Sequence, residues 1–245
     1  MAVYRSKGIV LRSIRYGEAD RILDLYTLDA GLISGIAKGI RRTKSRFGAR
    51  LEPLSCVDFQ AYSGRSLDTV TQAEVLRSFH NVRENLARFE AAGGMVRAVR
   101  AFAGGGEPDR RVFNLLYHGL DSLETRNAGF TAIEAAFGLK LSVLAGYAPQ
   151  LDVCLNCEAP PDSAGPPYFA PDLGGVLCAD CRAASGDSFP LAPAVLDRLA
   201  ALAESQVRAV PSDDLDESVR RVVRAHLFAH APGAPTASAT ARRPA

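Results

Sequence analysis

Four of the five cysteines fall into two pairs, Cys154-x2-Cys157 and Cys178-x2-Cys181, with twenty residues between them. Each pair can present two thiolates to one side of a tetrahedral ion while the segment between them folds back, which is the spacing of a zinc ribbon or knuckle. Two other chemistries compete for the same residues. Redox-active CxxC sites usually follow a strand in a βαβ unit, and no such pattern surrounds these pairs; disulfides belong to oxidising compartments, and a reducing one is expected here. The reading is therefore one zinc ion per chain held by Cys154, Cys157, Cys178 and Cys181. Four thiolates close the coordination sphere to water and substrate, so the ion would be structural. The segment it staples is rich in proline and glycine and is expected not to fold without metal. Cys56, in a strand-like run, reads as a small buried hydrophobe.

The second concentration of chemistry is electrostatic. Lys38, Arg41, Arg42, Lys44, Arg46 and Arg50 place six cations in thirteen residues, with no acid among them. Such a run cannot enter a core, where each charge would need a partner, so it is expected to form a solvated loop. Its natural counter-charge is a polyanion. Division of the charge along the chain supports this. Residues 1–81 hold 13 Lys+Arg against 8 Asp+Glu, residues 82–150 hold 8 against 7, and residues 151–245 hold 8 against 12. The positive field thus belongs to the first third, a pointer to nucleic acid or a membrane surface. Only Phe47 is an aromatic within the basic segment, so backbone contact is expected to outweigh base stacking.

Other chemistries lack their residues. No GxxxxGK[ST] phosphate loop, HExxH, GxSxG or deaminase pattern occurs, which argues against nucleotide hydrolysis and the commoner hydrolytic sites. Asp20 and Asp24 share a strand face, but two acids alone are thin support for a metal nuclease; a salt-bridged surface is the simpler reading. His226 and His230, at i and i+4, have no third ligand nearby and read as cations near a helix C-terminus.

The elements that must position these groups divide into two kinds. Runs at 8–14, 21–28, 32–37, 55–62 and 66–76 are β-rich and separated by turn signals, without a helix between them. Five short strands in this order favour a small closed barrel of the OB type. From Asn81 the period becomes helical: Leu86, Phe89, Ala92, Val96, Val99 and Phe102 recur at three- and four-residue steps, as do Val112 to Leu123 and Phe130 to Leu144. The breaks are Gly104-Gly105-Gly106 and Arg126-Asn127. Two later helices are read over 193–207 and 212–230, the last opened by Ser212 as cap with acids behind it. The expected class is α+β: an OB-like barrel over 1–80, a helical domain over 81–150 and 186–231, a four-cysteine ribbon inserted at 151–185, and a disordered tail over 232–245. No window approaches a membrane span and the N-terminus lacks a signal-peptide core, so a cytoplasmic protein is expected.

The N-terminal block resembles the RecO family of bacterial recombination mediators. The residues that carry the likeness are Gly8-Ile9-Val10-Leu11, Tyr16-Gly17-Glu18-Ala19-Asp20-Arg21-Ile22, Thr27, Gly31-Leu32-Ile33, Ala37-Lys38-Gly39, Arg41-Arg42, Lys44-Ser45-Arg46, Leu51-Glu52-Pro53 and Thr71-Gln72-Ala73-Glu74. The order of barrel, helices and cysteine ribbon also fits. The resemblance implies a non-enzymatic protein of the nucleoid that binds single- and double-stranded DNA and anneals complementary strands. With RecR it would load RecA onto strands coated by single-strand-binding protein, whose C-terminal tail would dock on the helical domain, with Arg97, Arg100, Arg110 and Arg111 as candidate contacts. The alternative class is an OB-fold nuclease or accessory enzyme acting on nucleic acid.

Overall fold

The computed structural model describes residues 2–42, 45, 47, 49–103 and 107–232. Lys44 and Arg46 of the basic run, the glycines 104–106 and nearly all of the tail expected over 232–245 lie outside the described residues. The chain forms two compact units, Met1–Arg126 and Asn127–Ala245.

In the first unit, β1 (Val3–Tyr16), β2 (Asp20–Thr27), β3 (Gly31–Ala37), β4 (Cys56–Tyr62) and β5 (Asp68–Arg77) form a closed barrel in the order β1-β2-β3-β5-β4. Strand β1 is long enough to serve both neighbours: Val3–Ile9 pairs antiparallel with β4 and Gly8–Tyr16 with β2, with an irregularity in the β2 pairing between Val10 and Arg12. Closure comes from a short parallel pairing of β3 with β5, Gly35 with Asp68 through Ala37 with Val70. The alternation of apolar residues places Val10, Leu23, Leu25, Val57, Phe59, Ala61 and Val70 inside. Gly8 allows β1 to cross this core closely, since a Cβ there would meet the Phe59 ring at 3.1 Å and Leu25 at 3.3 Å.

Three helices complete this unit: α1 (His80–Glu84), α2 (Leu86–Phe102) and α3 (Arg110–Thr125). Asn85 caps α2 by accepting from the Arg88 N–H at 3.1 Å, and Asp109 caps α3 by accepting from the Arg111 N–H at 2.7 Å. The helices are tied to the barrel by the Tyr26 hydroxyl, which donates to the Asp109 carbonyl at 3.2 Å, and by the buried Phe79 ring against Tyr117 at 5.7 Å.

The second unit contains α4 (Phe130–Leu144), α5 (Pro193–Glu204) and α6 (Glu217–His230), with a small antiparallel sheet of β7 (Gly175–Leu177), β6 (Tyr168–Ala170) and β8 (Phe189–Pro190). Helix α4 is apolar almost all round and most of it is buried. Gly138 lets α6 approach closely, for a Cβ there would lie 2.8 Å from Val223 and 3.0 Å from Leu227. The start of α6 differs from the sequence reading. Its cap is Asp216, which accepts from the Ser218 N–H at 2.6 Å, and not Ser212; the intervening acids are used elsewhere, Asp213 on Arg198 and Asp214 on the Thr131 hydroxyl. Among the described residues no helix is long and apolar enough to cross a membrane.

Candidate metal centre and nucleic-acid surface

The two cysteine pairs converge. Cys154 and Cys157 lie on the tight turn before the small sheet; Cys178 and Cys181 follow β7 directly, at the start of a 3-10 turn over Ala179–Ala184. Backbone pairing sets the approach: the Leu155 N–H donates to the Val176 carbonyl at 2.9 Å, and the Val176 N–H to the Gln150 carbonyl at 3.0 Å. Glu158, immediately after Cys157, takes a left-handed conformation (φ 59°), which curls the first turn so that its N–H reaches the Cys154 carbonyl at 2.9 Å.

All four Sγ atoms lie within 4.8 Å of one another, and Cys157 and Cys178 are 3.8 Å apart. A tetrahedron with metal–sulfur bonds of about 2.3 Å has sulfur–sulfur edges of about 3.8 Å, so the cluster has the size such an ion requires. A disulfide, with sulfurs about 2 Å apart, is another geometry, and all five cysteines are free thiols. Burial raises the Cys154 thiol, yet the backbone N–H groups of Cys178, Cys157 and Asn156 outweigh it and bring the group down to about 6. At Cys181 the Asn156 amide, which donates to its sulfur at 3.3 Å, works downward, but the crowding of Cys178, Cys157 and Cys154 prevails and pushes the thiol up to about 12. The cluster therefore favours one thiolate and resists several. A dication at its centre removes that resistance, and the donor set fits a structural metal ion.

The ribbon is not held by the cysteines alone. Phe169, Ala170, Val176 and Leu177 are buried, Phe169 packs on the His226 ring at 6.0 Å, and the Arg221 guanidinium lies 4.2 Å over the Phe189 ring. The small sheet is thus also packed against α6 through Phe169 and Phe189. His226 departs from its reading as a cation near a helix C-terminus. It is fully buried; its Nε2–H donates to the Tyr147 carbonyl at 2.8 Å, and its Nδ1 has no partner among the described residues. Burial holds its pKa down to about 4, so the ring is neutral and cannot act as a helix-terminal charge.

The basic segment joins β3 to β4 and has a feature its charge pattern conceals. Interleaved with the cations, Ile40, Phe47 and Leu51 are buried in the barrel core, each contributing about 2 kcal/mol of apolar burial. Lys38, Arg41, Arg42 and Arg50 remain exposed. The start of the loop is stapled to the β1–β2 turn: Asp20 accepts from the Gly39 N–H at 2.7 Å, the Ala19 carbonyl from the Arg41 N–H at 2.9 Å, and the Glu18 carbonyl from the Arg41 guanidinium at 3.2 Å. No carboxylate lies within ion-pair distance of Lys38, Arg41 or Arg42 among the described residues. Exposed cations on a segment that packs into the barrel core are suited to phosphates.

The remaining candidates are differently placed. Asp24 pairs with Arg100 at 3.2 Å and accepts from the Ser34 hydroxyl, so Asp20 and Asp24 do not form a shared metal site. Arg110 pairs with Asp29 and Arg111 with Asp109, each at 2.7 Å. Of the four helical arginines proposed for a partner tail, only Arg97 has no carboxylate partner among the described residues. The exposed apolar residues of α2, Leu86 and Phe89, precede Arg97 by about two turns or more, roughly 12 Å along the axis.

Comparison with known proteins accords with this geometry. Residues 1–79 match the family model described as Recombination protein O N terminal, and residues 83–238 the model described as Recombination protein O C terminal. The chain is 63% identical over 238 residues to the DNA repair protein RecO of Rubrobacter xylanophilus, covering 96% of this chain and 94% of that protein. It is 40% identical over 205 residues to the DNA repair protein RecO of Thermobifida fusca, with 82% of each chain covered, and 37% identical over 226 residues to that of Bifidobacterium longum subsp. infantis, covering 91% and 92%.

Proposed function

The chain belongs to the RecO family, and from that premise we propose that it is a DNA-binding recombination mediator of repair, which anneals complementary single strands without ATP. With RecR it would help load RecA onto strands coated by single-strand-binding protein, whose C-terminal tail would dock on the helical segments. The observation that carries this reading is the array of exposed cations, Lys38, Arg41, Arg42 and Arg50, on a loop pinned to the barrel by Ile40, Phe47 and Leu51.

Two complementary strands repel through their phosphates. A basic surface that holds them neutralises part of that charge and leaves the base edges free to pair, so no covalent step and no nucleotide are needed. Lys44 and Arg46 are assigned to the same role by sequence. The neighbouring acids support a mediator over a nuclease, since Asp20 is used by the loop backbone and Asp24 by Arg100. Cys154, Cys157, Cys178 and Cys181 would hold one zinc ion, which supplies rigidity to the turns it joins and no chemistry.

The test is binding to labelled oligonucleotides of unrelated sequence, single- and double-stranded, with Mg²⁺ present. The proposal expects affinities within a few-fold across sequences and full recovery of intact oligonucleotide. Sequence-selective binding, or shortened product that accumulates with time, would overturn it.

A further inference from the structure

The β3–β4 connection has a second working surface. Between its later residues and the β5–α1 junction lies an open cleft of about 500 Å³. Its polar lining includes Arg50 and Ser55 from the connection and Ser78, His80 and Arg83 from the junction, and no carboxylate lines it among the described residues. Arg50 also lines a cleft of about 470 Å³ over the outer face of β4 and β5, but there Asp58 and Glu74 stand beside it, and a phosphate would be repelled.

The backbone on both sides of the serine-lined cleft is held in a conformation side chains rarely adopt. Among the described residues three non-glycine residues have positive φ, and two of them border this cleft: Leu54 (φ 71°) precedes Ser55, and Phe79 (φ 47°) stands between Ser78 and His80. Both side chains are buried in the core. Packing of Leu54 and Phe79 thus enforces the turns that leave Ser55, Ser78 and His80 at the cleft. Such strain persists only where surrounding structure over-determines it, and it concentrates at binding sites. One guanidinium spans the two sides: Arg83 Nη1 donates to the Pro53 carbonyl at 3.4 Å and to the Ser78 carbonyl. A guanidinium carries five N–H donors in a rigid fork, and the other Arg83 nitrogens have no partner among the described residues. The Arg83 guanidinium with the neighbouring His80 imidazole and Ser78 hydroxyl, and no carboxylate among the described lining residues, forms a donor set for a phosphate.

We propose that this cleft holds a backbone phosphate of a bound DNA strand, with His80 and Arg83 extending the track of the loop cations and Arg50 common to both. The inference rests on the reading of the chain as a DNA-binding protein and adds a contact outside the basic run. The experiment measures affinity for oligothymidylate against salt concentration for the wild type, for Arg41→Ala/Arg42→Ala, and for His80→Ala/Arg83→Gln, where glutamine keeps an amide donor for the two carbonyls. Loss of one phosphate contact lowers the slope of log K against log salt by about 0.7 on a single strand. The cleft variant should show that loss, and it should add to the loss from the loop variant.

His80→Ala alone, which removes an exposed side chain with no hydrogen-bond or ion-pair partner among the described residues, serves if the double variant does not fold; it should weaken binding about two- to threefold at low salt. A normal slope in a folded cleft variant, with a reduced one in the loop variant, would overturn this inference and leave the DNA-binding reading standing. Failure of the wild type to bind at all would overturn both. A parallel thermal-unfolding series in inorganic phosphate separates polymer from free ion: phosphate stabilisation abolished by the cleft substitutions, with an unchanged oligonucleotide slope, would reassign the cleft to a free anion and contradict the proposal.

Discussion

Replacement of Arg41 and Arg42 by alanine isolates the electrostatic function of the basic loop from its structure. Both side chains are exposed, and neither meets a carboxylate among the described residues. Arg41 loses one hydrogen bond, to the Glu18 carbonyl, while its backbone bond to Ala19 and the buried Ile40, Phe47 and Leu51 remain. The stability cost should therefore stay within about 1 kcal/mol. The binding cost follows from counterion release. Each phosphate neutralised on a single strand contributes about 0.7 to the slope of log K against log salt, so two lost contacts remove about 1.4. Between about 50 and 200 mM salt, a fourfold change, the wild-type affinity should fall about sevenfold more than that of the variant. Fluorescence anisotropy of a labelled oligothymidylate, titrated at four or five salt concentrations, reads this directly. Because phosphates carry no sequence, the loss should be nearly equal for mixed-sequence oligonucleotides. A variant that melts like the wild type and retains its full salt slope would refute the reasoning and leave the loop as a merely solvated surface.

Two further outcomes are expected. Cys178→Ser should lower zinc content in protein purified without chelator and loosen the ribbon, while the barrel keeps most of its DNA affinity; wild-type protein without zinc by metal analysis would contradict the four-cysteine assignment. His226 makes stability depend on pH. Its folded pKa of about 4 lies below the unfolded value of about 6.5, so the unfolded chain binds the extra proton between these values; the contribution is complete above about 6.5 and is lost as pH falls toward 4, up to about 3 kcal/mol. Thermal melts should show a shallower loss over that window for His226→Gln, which can still donate to the Tyr147 carbonyl but does not titrate, and identical profiles for the two proteins would exclude the buried histidine as the cause.

The parts of this fold legible in the sequence are those with a strong local period. Strands β1 to β5 announce themselves by apolar alternation between glycine turns, and α2 to α4 by three- and four-residue steps, because in each case one face is buried along the whole element. The cysteine cluster was legible because two fixed spacings leave thiolates few other uses. What escaped lies in segments too short or too irregular for a period to be read as an element. Ile40, Phe47 and Leu51 sit within a charged run outside any strand or helix, and only their packing with the barrel residues explains why they are buried. The ribbon strands are two or three residues long, too short to show alternation. Asp216 replaces Ser212 as the α6 cap because Asp213 and Asp214 are drawn to Arg198 and Thr131, which are remote in sequence. His80 and Arg83 gain their place from the left-handed turn at Phe79, a conformation that no sequence rule assigns to phenylalanine.

In the proposed function, charge neutralisation on the barrel, without nucleotide or metal catalysis, brings complementary strands together. Stopped-flow fluorescence of two labelled complementary oligonucleotides, mixed with the protein in the absence of nucleotide, tests it most directly. Annealing should be faster than the protein-free rate, with an acceleration that declines with salt and falls sharply in Arg41→Ala/Arg42→Ala. Annealing no faster than without protein, or an acceleration untouched by salt and by the loss of both arginines, would contradict it.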